Sequence, residues 1–293
     1  MPCPPNTRPL AGPGPTLATP PGATDCHIHF FLEGFESQPG GPGIRELATL
    51  EDYAVVQQRL GLERVVVTQS NAYQLDNRAT LAALARLGSH RARAVIAVSP
   101  DMSVPELRRL DAQGVRGARI MNLPGGAVPI AAMAPVERLV REVGWSLIVQ
   151  FNGREMDEHL DALRAIETDY VIDHIGKFMP PVTADDRRVD ELLRLLDRGN
   201  AWFKLCGCDE TSTSGAPGFE DVAAIARRVI RHAPERIIWG SNWPHVGASR
   251  EDYPDDATLL DVLLDWAGPE ERQKILVDNP AALYGFDPVV DRT

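Results

Sequence analysis

The sequence predicts an α/β protein in which eight parallel strands, each followed by a helix, close into a (β/α)8, or TIM, barrel. Three observations predict it. Short runs rich in β-branched and aromatic residues alternate with segments of helical period along nearly the whole chain, the pattern of parallel strands joined by helical crossovers. The alternation repeats eight times, and 293 residues leave little over once eight such units are placed, since a barrel of this kind takes about 250 residues. No G-x-G-x-x-G follows any strand, which disfavours a doubly wound dinucleotide-binding sheet.

The elements follow in order. ATDCHIHF (23–30) is the first strand, LEDYAVVQQRLG (50–61) a helix and ERVVVTQ (63–69) the second strand. DNRATLAALARLG (76–88) reads as a helix that starts on an Asp cap and stops at Gly88. RARAVIAV (91–98) is strand three, and VPELRRLDAQG (104–114) is another helix ending at glycine. VRGARIM (115–121) pairs with helix MAPVERLVREVG (133–144), SLIVQF (146–151) with REMDEHLDALRAIE (154–167), and YVIDH (170–174) with ADDRRVDELLRLLDRG (184–199). AWFKLC (201–206) precedes FEDVAAIARRVIRHA (219–233), and RIIWG (236–240) precedes DDATLLDVLLDWAG (255–268). The tail EERQKILVDNPAALYGF (270–286) reads as added helical turns closing the barrel. Residues 23–293 are thus expected to form one barrel catalytic domain. Residues 1–22, with eight prolines, are expected to be an extended arm.

A net charge of −11 argues against nucleic acid and anionic membrane surfaces as partners, but not against a small anionic substrate met by a local cationic pocket. No apolar run reaches the roughly 18–20 residues of a membrane span, and the N-terminus has no apolar signal-peptide core. Cys3, Cys26, Cys206 and Cys208 show no disulfide framework, so a cytoplasmic location is expected. Nothing in the sequence sets the oligomeric state.

The active site of such a barrel lies at the C-terminal ends of its strands. Strand one brings His27 and His29 there, strand two Gln69 and Asn71, strand four Arg119 and Asn122, strand five Gln150 and Asn152. Strand six brings Asp173, His174 and, just beyond, Lys177; strand seven carries Lys204; strand eight ends in Asn242 and His245. Residues two apart on a strand face the same way, so both imidazoles of H-x-H project into one region, as metal ligands or as proton carriers. His90, His159 and His232 fall on helices or connections and are expected to face solvent. Arg119 and Lys177 could grip the carboxylates of an acidic substrate, or be held in internal ion pairs with Asp173 or Asp101. PGGPG (39–43) and PGGAV (124–128) lack the Lys-Ser/Thr of a phosphate loop and read as tight loops over the mouth.

DCHIH, the DN at 76–77, GARIM, VIDHIGK, WFK and WGSNWPH together resemble the amidohydrolase superfamily, in the branch of the 2-pyrone-4,6-dicarboxylate lactonases. The marks run from residue 25 to about 284. The longer segments VTQSNAYQLDN, GARIMNLPGGAV, VQFNG, DHIGKF, DRGNAWFK and WGSNWPH are most similar to the sugar-diacid lactone isomerases of that branch. The resemblance implies a barrel enzyme whose substrate is a small lactone bearing a carboxylate. In the lactonases the strand-eight position is an aspartate that activates water. Here it is Asn242, which cannot take up a proton near neutral pH.

The expected reaction is therefore intramolecular acyl transfer, with His27, His29, His174 and Asn242 catalytic. Gln69, Asn71, Arg119, Asn122, Gln150, Asn152, Lys177 and His245 are expected to bind substrate. No cofactor is expected, because Arg119 and Gln150 stand where metal-binding relatives have ligands and the strand-eight carboxylate is missing. The alternative is a lactone hydrolase of a dicarboxylate or muconolactone-type substrate, with a single zinc on His27, His29 and His174. A decarboxylase of the same superfamily and a catalytically silent sugar-acid-binding barrel are the remaining readings.

Overall fold

The computed structural model describes residues 3–288; Met1 and Pro2 of the expected arm and positions 289–293 of the expected barrel domain lie outside the described residues. The chain runs β1 (Thr24–Ile28), α1 (Leu50–Leu60), β2 (Arg64–Thr68), α2 (Arg78–Leu87), β3 (Ala92–Ile96), α3 (Val104–Asp111), β4 (Val115–Met121), α4 (Met133–Arg141), β5 (Ser146–Gln150) and α5 (Met156–Arg164). It continues through β6 (Tyr170–Ile172), α6 (Arg187–Leu196), β7 (Ala201–Leu205), the one-turn α7 (Cys208–Thr211), α8 (Glu220–His232), β8 (Ile237–Trp239), α9 (Asp256–Trp266), α10 (Pro269–Gln273) and α11 (Asn279–Tyr284). The eight strands form one parallel sheet in sequential order, the expected TIM-barrel amidohydrolase architecture. No helix among the described residues is long and apolar enough to cross a membrane.

Regular pairing stops at β8, and the barrel closes through the segment just past it. Asn242 N donates to His27 O and His29 N donates to Trp243 O, both at 2.9 Å. Ser241 N donates to the buried carboxylate of Asp25 at 2.9 Å, and Tyr53 of α1 donates to the other Asp25 oxygen at 3.0 Å. The barrel is thus welded by backbone that carries site residues.

A bulge in β1 decides where the histidines point. Asp25 pairs with Val65 and Ile28 with Val67, so three steps on β1 face two on β2. Such a bulge re-aims the side chains beyond it. Cys26 packs with Val66, Val95, Ile148, Val171, Trp202 and Ile238, the inward residues of the other strands. After the bulge His27 and His29 reach toward residues of β6 and β7 and of β2, while Ile28 joins the layer between strands and helices. Tyr284 and Phe286 of the tail plug the opposite end, where Arg93 donates to Tyr284 O and lies over the Phe286 ring at 4.5 Å.

Helix ends follow local chemistry. Thr49 and Asp52 make a reciprocal capping box on α1, which ends at Gly61 with φ 68°. The expected Asp cap of α2 is displaced by one residue. Asn77 holds the cap position but bonds Ala97 on both sides of its amide, and Asp76 accepts from Arg78 N instead. The arm runs along α1 and α9: Thr16 N and Leu17 N donate to Asp261, Arg59 donates to Pro13 O, and Arg8 pairs with Glu46. His90 and His232 are exposed as expected, but His159 is half-buried, its ring against Phe151.

Candidate active site

Four side chains at the strand ends form a buried, charged centre: His27, Asp173, His174 and Lys204. Lys204 Nζ lies 3.1 Å from His27 Nδ1 and 3.1 Å from Asp173 Oδ1, whereas His27 Nδ1 is 3.5 Å from that oxygen. His174 Nδ1 lies 3.1 Å from Asp173 Oδ2. His27 Nε2 and His29 Nε2 are 3.3 Å apart, and His29 Nδ1 is 2.8 Å from the Thr68 carbonyl.

These contacts assign every proton on the first-strand imidazoles. An ammonium only donates, so His27 Nδ1 accepts from Lys204 and the His27 proton sits on Nε2. A carbonyl only accepts, so His29 donates from Nδ1 and its Nε2 receives the His27 proton. Both rings are neutral. Burial pushes the His29 pKa down to about 3, with Arg119 adding to the effect, and burial likewise drives His27 well below its ordinary value. For Asp173, burial favours the neutral form, but the Lys204 ammonium first and His174 after it outweigh burial and hold the carboxyl well below the usual range.

His174, Ile175, Gly176 and Lys177 all have φ between 47° and 62°, a left-handed turn directly after β6. Asn242 (φ 69°) and His245 (φ 52°) are left-handed as well. Each such non-glycine residue costs about 1–2 kcal/mol. The buried Ile175 side chain helps hold the turn, which aims His174 into the mouth.

The other expected site residues separate into two groups. Arg119 is buried and donates to Gln69 O (2.6 Å) and Gln150 Oε1 (2.9 Å), so Gln150 and Arg119 lie together; Arg119 Nε has no partner. No carboxylate among the described residues pairs with Arg119. Asn242 Nδ2 donates to Glu210 Oε1 at 2.9 Å, and Lys177 Nζ to Glu210 Oε2 at 2.6 Å. His245 sits behind them, its Nε2 2.9 Å from Asp256, whose charge raises the imidazole pKa against the effect of burial.

The second group is held in loop structure. The Gln69 side chain donates to Gln74 O and Asp76 O and accepts from Thr80. Asn122 accepts from Ile130 N. Asn152 accepts from Arg154 N and donates to Glu155, capping a short turn. Asn71 contacts the Met121 sulfur across the mouth, and Gln74 ties the 71–74 turn to Gly125 O of the second glycine-rich loop.

Two participants, Asp173 and Lys204, are placed at the strand ends by the sequence but given no catalytic or binding role, and a third, Glu210, is not expected at all. Asp173 and Lys204 stand in the sequence as charges in apolar strand contexts, YVIDH and AWFKL, which is itself a signal, since an isolated buried charge is costly. Glu210 lies in CDET, which has no periodicity or motif to mark it.

His27, Asp173, His174 and Cys206 place one potential ligand atom each within 4.8 Å of one another. As arranged they do not fit a divalent ion. The Lys204 ammonium already stands between two of the four. Both nitrogens of His27 are engaged, one with Lys204 and one with His29. The three-histidine set meets the same obstacle, because His29 also has both nitrogens engaged.

An eight-stranded barrel with histidines, a lysine and an aspartate gathered at its strand ends defines a class, and the chain belongs to it: residues 24–286 match the Amidohydrolase family. Among particular relatives, the chain is 43% identical over 287 residues to D-galactarolactone isomerase of Agrobacterium fabrum strain C58, covering 96% of this chain and 97% of the relative. It is 34% identical over 290 residues to 4-sulfomuconolactone hydrolase of Rhizobium radiobacter, covering 96% of each. A ligand-free crystal structure from Agrobacterium tumefaciens superposes with a TM-score of 0.93 at 42% identity, covering 96% of this chain and all of that one.

Proposed function

We propose that the protein is a lactone isomerase that moves the lactone of a sugar diacid, converting D-galactaro-1,5-lactone to the 1,4-lactone by intramolecular acyl transfer. The observation that carries this reading is that strand eight presents an amide, Asn242, where ring-opening would need a base beside the carbonyl. The similarity to D-galactarolactone isomerase supports the substrate class.

In this reaction the 4-hydroxyl of the substrate attacks its own C1 carbonyl. A tetrahedral oxyanion forms, the bond from C1 to the ring oxygen O5 breaks, and O5 leaves as a hydroxyl. One proton passes from O4 to O5, so nothing is consumed. The nucleophile is already tethered, which supplies an effective concentration no free water matches. The protein's tasks are then to hold the substrate, orient the hydroxyl and carry the proton.

Arg119, a buried cation with no carboxylate partner among the described residues, is the group to receive the substrate's free carboxylate, with Gln150 beside it. His174 carries the proton: with Nδ1 turned to Asp173, Nε2 is the nitrogen left to take it from O4 and return it to O5. His27 is fully buried and acts through its neighbours, its ring edge-on to both His29 and His174 with centroids 4.9 Å away. Lys204 supplies a fixed positive charge beneath the developing oxyanion. No step requires a metal.

The second reading, hydrolysis, is the activity named for the 34%-identical relative. It needs a base aimed at water instead of at a tethered hydroxyl; that base would have to be His174, because the carboxylates nearest the mouth are poor ones. Asp173 is held low by Lys204. Burial favours the neutral form of Glu210, but His174 and Lys177 outweigh it and bring its pKa to about 2.

The test is proton NMR of the chelator-treated protein with freshly prepared D-galactaro-1,5-lactone. The 1,4-lactone should appear before the open diacid and well above the enzyme-free rate. Direct appearance of the diacid would establish a hydrolase and discard this reading.

A further inference from the structure

Glu210 enters the mouth on α7, a single turn inserted between β7 and the regular crossover helix α8. Its carboxylate bonds the ends of both flanking strands, Asn242 beyond β8 and Lys177 beyond β6. An ionised carboxylate only accepts, so the atom that Asn242 turns toward it has to be the amide nitrogen. The reverse orientation would set the amide oxygen against Glu210, two acceptors facing each other with no proton between them. The amide oxygen therefore points away from Glu210.

We propose that Glu210 is a positioning and specificity-determining residue: it fixes the Asn242 amide so that its oxygen receives the attacking hydroxyl of the substrate, and it bars a working carboxylate base from position 242. This rests on the lactone-isomerase reading and deepens it. The attacking hydroxyl has one hydrogen, which the Asn242 oxygen and His174 Nε2 share in a bifurcated bond: the amide aligns the nucleophile but cannot take the proton, so the proton passes to His174. The second effect follows from the same contact. An aspartate at 242 would set its carboxyl against that of Glu210; because the Lys177 ammonium holds the negative charge on Glu210, the proton the two carboxyls share sits on residue 242, which then has no charge with which to take another. The charged and titratable groups facing this position are His174 and Lys177 past β6, Asp209 and Glu210 on α7, and His245 past β8. Residue 210 thereby controls what residue 242 can do.

The experiment uses five proteins: the parent, Glu210→Ala, Glu210→Gln, Asn242→Asp, and Asn242→Asp with Glu210→Gln. The side-chain amide cross-peak of Asn242 in a 1H–15N spectrum is assigned by its loss in Asn242→Asp, and it is read without substrate. In Glu210→Ala this peak should move, its charge-assisted bond being gone, and kcat for isomerisation should fall about 10–100-fold with a much smaller change in KM. Glu210→Gln, which keeps the side-chain shape, should shift the same peak in a folded protein even if the alanine variant is unstable. Ring-opening should appear in the double variant at least about tenfold faster than in Asn242→Asp alone. An unmoved cross-peak overturns the positioning role, and equal hydrolysis by Asn242→Asp with and without Glu210 overturns the specificity role. A moved cross-peak without lactone turnover in the parent would sustain the positioning of Asn242 while rejecting the lactone reading.

Discussion

The ammonium of Lys204 lies 3.1 Å from Nδ1 of His27, in a place no solvent reaches. That contact sets the tautomer of His27, through it the tautomer of His29, and with Asp173 it makes a buried ion pair under the mouth of the barrel.

Removing the cation should therefore cost stability before chemistry. Lys204→Met leaves Asp173 buried without its main partner, a loss of about 3–5 kcal/mol in urea unfolding. Lys204→Met with Asp173→Asn should recover a large part of that stability and none of the activity. A loss below about 1 kcal/mol for the single variant would show that the pair is not the support described. Exhaustive dialysis against a chelator should leave turnover unchanged, and a loss restored by zinc would contradict the assignment of this space to Lys204.

Arg119 should govern binding. Arg119→Gln is expected to raise KM for a carboxylate-bearing lactone about 10–100-fold with little change in kcat, the signature of lost uniform binding. A neutral amide of the same lactone should bind the parent and the variant alike. If the variant keeps its KM, the guanidinium meets no substrate carboxylate.

Acid should destabilise the protein from the histidine side. The His29 pKa is about 3 in the fold against roughly 6.5 when unfolded, and His27 is shifted in the same direction. The unfolded chain thus binds more protons as pH falls below about 6.5, and each ring removes up to about 1.4 kcal/mol per pH unit. Asp25 works the other way. Burial lifts it to about 6, so between roughly 6 and 4 the fold holds a proton that the unfolded chain lacks. His245, whose pKa Asp256 raises against burial, opposes the loss near neutrality, so the net expectation is a loss that sets in gradually below about pH 6.5 and reaches about 1.4 kcal/mol per unit between pH 6 and 4. Urea midpoints of the parent and of His29→Gln would check it, with the variant nearly flat in the lower window. A parent midpoint constant from pH 7 to 4.5 would refute the neutral-histidine assignment.

Gly240 marks the weld between β8 and β1. A Cβ there would lie 2.7 Å from the His27 Cβ and 2.8 Å from its backbone nitrogen, atoms that cannot step aside without moving the strand. Gly240→Ala should cost about 1–3 kcal/mol and a disproportionate share of activity, because it displaces His27. Calorimetry together with turnover would separate the two losses; an active, fully stable variant would mean the seam yields freely.

The sequence announces the barrel because its signal is repeated: eight apolar runs, such as RVVVT and SLIVQ, each followed by a helical segment, several of which end at glycine. Strand-end positions for His27, His29, His174 and Asn242 follow from that frame. What it does not announce depends on contacts between distant residues. Gln69 and Asn152 look alike as polar strand-end residues, and only the fold shows their side chains bonded within loops. Glu210 is invisible beforehand because a one-turn helix has no period to detect, and its meaning comes from Asn242 and Lys177, each about 32 positions away. The bulge at Asp25–Ile28 is equally silent in DCHIH, since it is a register shift against β2.

The bond from Ser241 N to Asp25 joins positions 216 apart, beside the one from Asn242 N to His27 O. Contacts of such separation carry the largest loop-closure cost and form late unless the intervening chain is already ordered. A chain still emerging from the ribosome, or one clipped before strand eight, can therefore own seven-eighths of the architecture, with His27, Asp173, His174 and Lys204 all present, and still lack Asn242 and the backbone bonds that seat β1. Turnover in this protein is a readout of topological completion: it begins only when the two edges of the sheet have found each other.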